Sequence, residues 1–225
     1  MFELIDRPIY TTSDISYINS WPTSYVRRHL KRRKIWTPEG LNPETKIESQ
    51  IVASYRDFIF LDILHFLLQR RISPKKQINI LKKLASSDQF FYNENRELEL
   101  ATDGIDFFGK LPNGENINLE NDQMIFPLVL EPILEKRIFS KEANIFSWQL
   151  DQDFPDIIIH PAISFGKPHI KGRRLKTEFI YDIYKGSTVT VNDIAIDFEI
   201  DDIGLIKQAI DFEKKHEMQN RETRH

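Results

Sequence analysis

The chain contains no cysteine, which removes disulfides, thiolate metal sites and thiol catalysis together and suits a reducing compartment. It has no apolar run long enough to span a bilayer, and Met1-Phe2-Glu3-Leu4-Ile5-Asp6 carries neither the basic end nor the apolar stretch of a signal peptide. A soluble, cytoplasmic chain with no membrane partner is expected. Internal repeats and low-complexity tracts are absent. Catalytic signatures are equally scarce: no Gly-Lys-Ser/Thr follows a glycine loop, no His-Glu-x-x-His pair occurs, and no serine stands in a nucleophile elbow. No catalytic residue, metal site or cofactor is assigned, and an enzyme is not expected.

What is present is apolar and aromatic material for one large core or two small ones: 40% hydrophobic and 12% aromatic content in 225 residues. The net charge of −3 conceals an asymmetry. Residues 1–86 hold 15 Lys/Arg against 8 Asp/Glu, residues 87–156 hold 5 against 15, and residues 157–225 hold 11 of each. Only the first third has the electrostatics to approach a polyanion; the alternative for that third is a solvated basic face.

That third contains "YTTSDISYINSWPTSYVRRHLKRRKIWTP". Thr12-Ser13-Asp14 reads as a helix start, Ile15 and Ile18 as its apolar positions, and Asn19-Ser20 as its interruption. Pro22 suits the first turn of a second helix in which Val26 and Leu30, at i and i+4, face inward. Two short helices and a tight polar turn make a helix-turn-helix, whose second helix enters the major groove. Thr23, Ser24, Tyr25, Arg27, Arg28, Lys31, Arg32 and Arg33 are the candidate DNA contacts, and Ile35-Trp36 the start of a wing or return strand. Readers of this type commonly dimerise on two half-sites.

Downstream, Phe58, Leu61, Leu64, Phe66 and Leu68 predict a helix buried on more than one side, with His65 a satisfied core or seam histidine. Ser73-Pro74 predicts an N-cap and first position for a helix carrying Ile78, Leu81 and Leu84. From Asp88 the texture changes, and Asp103-Gly104 and Asn113-Gly114 predict a three-stranded meander. Its acids Glu97, Glu99, Asp103, Asp106 and Glu115 read as a solvated sheet face rather than a metal site. A helix broken or kinked at Pro132 is expected next, then a strand in "NIFSWQL" and an acidic linker, "DQDFPD".

The last part begins with Ile157-Ile158-Ile159 and then "GKPHIKGRR". Pro168 lacks one of the N–H donors that a phosphate cradle between Gly166 and Gly172 needs, so a nucleotide loop is not expected. The stretch reads as a glycine-punctuated β-loop with a cationic tip. Three short helices follow, capped by Thr177, by Thr190 with Asp193, and by Asp201, and carrying Phe179, Ile180 and Ile183, Ile194 and Phe198, and Ile203, Ile206 and Ile210. The polar tail "KKHEMQNRETRH" is expected to fray.

Residues 160–215, from "HPAISFGKPHIKGRRLKTEFIYDIYKG" through "LIKQAIDFE", closely resemble the small domain catalogued as domain of unknown function 433, departing from its pattern at Arg174-Leu175-Lys176. The upstream part is similar to VapB-type antitoxins that end in this domain and to MerR-like winged helix-turn-helix proteins. The resemblance implies a mainly α fold with small β elements (α+β). Its parts are a DNA-binding domain over 1–86, a β-meander and connecting helix over 87–150, and a trihelical toxin-binding domain over 151–225. It implies a type II toxin–antitoxin antitoxin that blocks a PIN-like ribonuclease toxin and represses its own operon at operator DNA, as a homodimer or toxin–antitoxin hetero-oligomer. Phe165, Gly166, Lys167, Pro168, Ile170, Lys171, Gly172, Arg173 and Arg174 are the candidate toxin contacts. A stand-alone MerR-like transcription regulator, with a ligand-sensing or dimerising last domain, is the alternative.

Overall fold

In the computed structural model, which describes residues 3–38, 46–47, 50–86, 91, 100–102, 107–110, 116–118, 124–125, 131–132, 137–138, 142–186 and 188–222, strand β1 (Pro8–Thr11) runs directly into helix α1 (Thr12–Asn19). A capping box sets the junction: the Thr11 N–H and hydroxyl donate to Asp14 Oδ2, and the Asp14 N–H donates to Thr11 Oγ1. The cap is therefore Thr11, one residue before the expected start. Helix α1 ends at Ser20, which adopts the left-handed conformation with φ 55°. Trp21 N–H then donates to Ser16 O, turning the chain sharply into α2 (Thr23–Leu30). Val26 and Leu30 point into the core as their spacing requires. Strands β2 (Lys46–Ile47) and β3 (Gln50–Ser54) complete an antiparallel sheet of order β1-β3-β2.

Helix α3 (Tyr55–Gln69) is the core of this first unit. A second capping box, Ser54 with Asp57, starts it, and Phe58, Ile59, Phe60, Leu61, Ile63, Leu64 and Leu67 are each at most 2% exposed. At about 1.5–3 kcal/mol per buried side chain, this helix dominates the local packing. Ile35-Trp36 forms no strand: residues Arg33–Ile35 make a 3₁₀ turn, and Trp36 lies stacked on Phe60 at 5.6 Å with its indole N–H donating to Asp57. Burying so large a ring in the core outweighs its β-propensity. Helix α4 (Pro74–Ala85) begins with the expected Ser73 cap and first-position proline, and buries Ile80, Leu81 and Leu84.

The expected meander is present as β4 (Leu100–Thr102), β5 (Phe107–Lys110) and β6 (Asn116–Asn118). Strands β7 (Met124–Ile125) and β8 (Glu131–Pro132) widen it to the order β7-β6-β5-β4-β8. The connecting helix expected near Pro132 is not found among the described residues. Strands β7, β8 and β9 (Arg137–Ile138) occupy that stretch, and Pro132 sits where a proline is tolerated, in the edge strand β8. The Asp103-Gly104 and Asn113-Gly114 turns and the carboxylates of Glu97, Glu99, Asp103, Asp106 and Glu115 lie outside the described residues.

Strand β9 opens a third antiparallel sheet, order β12-β11-β10-β9, with β10 (Ser147–Gln149), β11 (Ile157–Ile159) and β12 (His169–Ile170). Residues 151–156, expected as an acidic linker, lie instead in the connection of the β10–β11 hairpin, in which Trp148 faces Ile159. The expected boundary at 150/151 thus falls inside a hydrogen-bonded unit. Helices α5 (Thr177–Gly186), α6 (Val191–Asp197) and α7 (Ile203–Glu222) follow, with α7 packed on both others. The Thr190–Asp193 capping box forms as expected. Asp202 rather than Asp201 caps α7, its Oδ1 accepting the N–H of Gly204, the second residue of the helix, at 2.8 Å. Helix α7 also continues into the tail expected to fray as far as Glu222, with Lys215 held by Asp151 and Asp153 at 2.7 and 2.9 Å; residues 223–225 lie outside the described residues. The fold is α+β, and among the described residues no helix is long and apolar enough to cross a membrane.

Candidate functional site

Helix α2 turns Val26 and Leu30 inward and so must turn Ser24, Arg27 and Arg28 outward; these three and the following Lys31 are exposed. No acid interrupts this helix. Its outer surface is therefore a hydroxyl followed by a row of cations, the chemistry that contacts base edges and phosphates.

The other expected DNA contacts are engaged within the protein. Arg33 is buried: its guanidinium donates to Val52 O at 2.8 Å and stands 3.7 Å from the Asp57 carboxylate. Its placement on the basic surface is thus corrected: burial of a guanidinium requires paired acceptors, and Asp57 and Val52 O supply them. Both guanidinium NH groups of Arg32 donate to Gln77 Oε1 on α4 at 3.2 Å. Thr23 Oγ1 donates to Ser16 Oγ at 3.2 Å, which ties α2 to α1.

Tyr25 belongs to a half-buried ring cluster. Its hydroxyl is 2.8 Å from His65 Nδ1, and its ring packs on His29 at 4.3 Å and Trp21 at 5.4 Å. Burial pushes the Tyr25 hydroxyl pKa up, and burial beside Arg32 and Arg28 pushes His29 down. His65 packs on Trp21 at 4.5 Å with the rings tilted by 34°, and its Nδ1 lies 2.8 Å from the Tyr25 hydroxyl, so its polar edge is satisfied within the fold.

The loop around "GKPHIKGRR" divides into a docked half and an exposed half. Ser164, Phe165 and Gly166 adopt successive positive φ values of 51°, 56° and 74°, a costly run for residues carrying a Cβ. The run lays Gly166 directly on β1, where the Tyr10 hydroxyl donates to Gly166 O at 2.8 Å. A Cβ on Gly166 would stand 2.5 Å from Tyr10 Oη and 2.7 Å from Ile9 Cδ1. Lys167 pairs with Asp14 of the first capping box, while Pro168 and Ile170 are buried. Gly166, Lys167, Pro168 and Ile170 are thus not available to a partner as expected: burial and internal pairing use them to hold the fold. Phe165, by contrast, is 80% exposed. Lys171, Gly172, Arg173 and Arg174 are exposed as well, with weak tethers from Arg173 to Glu199 O at 3.3 Å and from Arg174 to Glu142 at 3.5 Å.

A polar interface between α1 and α7 went unseen in the sequence. The Tyr17 hydroxyl donates to Glu213 Oε2 at 2.6 Å, Thr177 Oγ1 donates to Glu213 Oε1 at 2.5 Å, and Ser20 Oγ lies 2.8 Å from His216 Nδ1. Burial raises the Glu213 pKa despite these donors. It also pushes His216 down to about 4, so this ring is neutral at physiological pH. The available signal was spacing: Ile206, Ile210 and Glu213, at i, i+4 and i+7, share the inward stripe of α7. Among the described residues no group of three or more His, Asp or Glu side chains gathers to hold a metal ion.

No family model matches the chain. It is similar to the Uncharacterized protein Rv2308 of Mycobacterium tuberculosis (strain ATCC 25618 / H37Rv), with 22% identity over 233 residues spanning 96% of this chain and 94% of that protein. Among solved structures it is similar to the X-ray crystal structure of Rv2018 from Mycobacterium tuberculosis, with a TM-score of 0.56 and 13% identity over 92% of this chain and 99% of that one. The second likeness is one of fold, and it extends along nearly the whole of both chains.

Proposed function

We propose that the chain is an antitoxin of a type II toxin–antitoxin system, which neutralises a PIN-like ribonuclease toxin and represses its own operon by binding operator DNA. The observation that carries the DNA half is the outer face of α2: Ser24, Arg27, Arg28 and Lys31 are exposed together, with the apolar face of the same helix fully buried. Such a face supplies the salt-dependent phosphate attraction and the donors that read base edges. The partner half is supported by the exposed part of the glycine-punctuated loop. Phe165 offers an apolar anchor, and Lys171, Arg173 and Arg174 offer cations suited to an acidic nuclease centre.

Two measurements on the full chain test this reading. The first is binding to a duplex taken from the DNA upstream of its own coding sequence. Arg27→Ala with Arg28→Ala is expected to weaken it and to lower the slope of log affinity against log salt by about one per lost phosphate contact. The second is co-purification with the product of the adjacent gene. Retention of a small nuclease, lost on Phe165→Ala with Arg173→Ala and Arg174→Ala, supports the antitoxin reading. Promoter binding with no nuclease retained reduces the proposal to a stand-alone regulator, and loss of neither function in these variants overturns the site assignments.

A further inference from the structure

We infer that helix α7 and the Gly166–Lys167 loop are part of the DNA-reading unit, acting as positioning elements that set the helix-turn-helix from outside it. The inference rests on the DNA-binding reading above and concerns its control.

The geometry of α2 is inherited from α1 through the turn at Ser20. Trp21 N–H donates to Ser16 O, Ser16 Oγ donates to Trp21 O at 2.5 Å, and Thr23 Oγ1 donates to Ser16 Oγ. Whatever fixes α1 therefore fixes the angle at which Ser24, Arg27 and Arg28 are offered. Helix α1 is gripped at three successive points by the last part of the chain. At its start, Asp14 serves two masters: Oδ2 receives the Thr11 donors of the capping box, and Oδ1 receives Lys167. In the middle, Tyr17 reaches the buried Glu213. At the end, Ser20, the left-handed residue that makes the turn, holds His216 through its hydroxyl. Residues 14, 17 and 20 recur every three positions and so form one stripe along the helix. Each is met by a polar side chain of the C-terminal part.

Glycine would serve the Ser20 backbone better than serine, because φ 55° is unstrained only for a residue without Cβ. The sequence keeps the hydroxyl that His216 contacts. A contact retained against backbone preference points to a positional role.

The deciding variant is Ser20→Gly, which removes the hydroxyl while easing the backbone; Tyr17→Phe, which removes only the donor to Glu213, accompanies it. The full chain is titrated by fluorescence anisotropy onto two duplexes of equal length: one from the DNA upstream of its own coding sequence, one of random sequence. Positioning affects base readout more than phosphate attraction. Ser20→Gly is therefore expected to lose about tenfold in preference for the promoter duplex. Its affinity for the random duplex and its thermal midpoint should stay within about twofold and about 2 °C of the parent. Full retention of the preference in Ser20→Gly overturns the inference and leaves the DNA-binding reading standing. A parent chain with no preference for its promoter duplex overturns both.

Discussion

Replacing Gly166 with alanine should unsettle the joint between the two parts of the molecule without touching either exposed surface. An alanine at φ 74° carries about 1–2 kcal/mol of left-handed strain. Its Cβ would meet Tyr10 Oη at 2.5 Å and Ile9 Cδ1 at 2.7 Å, an overpacking that typically costs about 1–3 kcal/mol. If the loop lifts to relieve the clash, the fully buried Tyr10 hydroxyl loses its acceptor, at a cost of about 1–3 kcal/mol. A loss on the order of 3 kcal/mol or more is expected, a large part of the roughly 5–15 kcal/mol that holds a typical fold. Urea unfolding followed by tryptophan fluorescence measures it, since Trp21, Trp36 and Trp148 all lie in or against the first core. Tyr10→Phe makes the assay specific: in the Gly166→Ala background it should cost at least about 0.5 kcal/mol less than in the parent, because the clashing oxygen is gone. A Gly166→Ala chain within about 1 kcal/mol of the parent, or strict additivity of the two changes, refutes the reasoning.

Arg33→Ala is expected to act on stability rather than on DNA. It leaves Asp57 buried beside a vacated guanidinium, at a cost of about 3 kcal/mol or more; unchanged urea stability with weakened DNA binding would return Arg33 to the binding face. Asp14→Asn should flatten the acid limb of stability. Burial pushes this carboxyl up, but Lys167 and the Thr11 donors outweigh burial and hold it below the ordinary carboxylate range. The folded state therefore binds fewer protons than the unfolded state between the folded value and the unfolded value of about 3.9. The contribution is complete above that window and is lost as pH falls through it; urea midpoints in the parent that fall no faster than in Asp14→Asn below pH 4 would contradict the pairing. His216→Ala should flatten the pH dependence of stability between about 4 and 6.5: the ring, pushed down to about 4, stays neutral in the folded state while the unfolded ring protonates near 6.5, so the parent loses stability as pH falls through that window; urea midpoints that fall equally in both chains there, or an NMR titration of the His216 ring with a midpoint near 6.5, would refute this.

Local signals proved legible where physics is local. The pair Val26 and Leu30, the Ser73-Pro74 start and the Thr190–Asp193 capping box each depend on neighbours within one helical turn, and each stands where its spacing placed it. The meander survived as the centre of a wider sheet. Residues 124–138 misled because an apolar run with prolines suits a kinked helix or a set of short edge strands equally, and only the sheet partners decide. The candidate site divides in the same way. Arg27 and Arg28 are exposed because Val26 and Leu30 are not, which one helical repeat suffices to establish.

The sequence by itself determined where helices begin to within about a residue, which faces turn inward and that a basic helical segment precedes a glycine-punctuated loop, because capping, periodicity and charge are properties of a few adjacent residues. Only the tertiary structure decided that Arg33 is a buried partner of Asp57 and that Gly166 and Lys167 are a joint rather than an open surface. It also decided that Glu213 and His216 reach back to α1. The Tyr10–Gly166 and Tyr17–Glu213 contacts join residues 156 and 196 positions apart. Burial makes a polar group seek whatever partner the fold brings near, and no local pattern names that partner in advance.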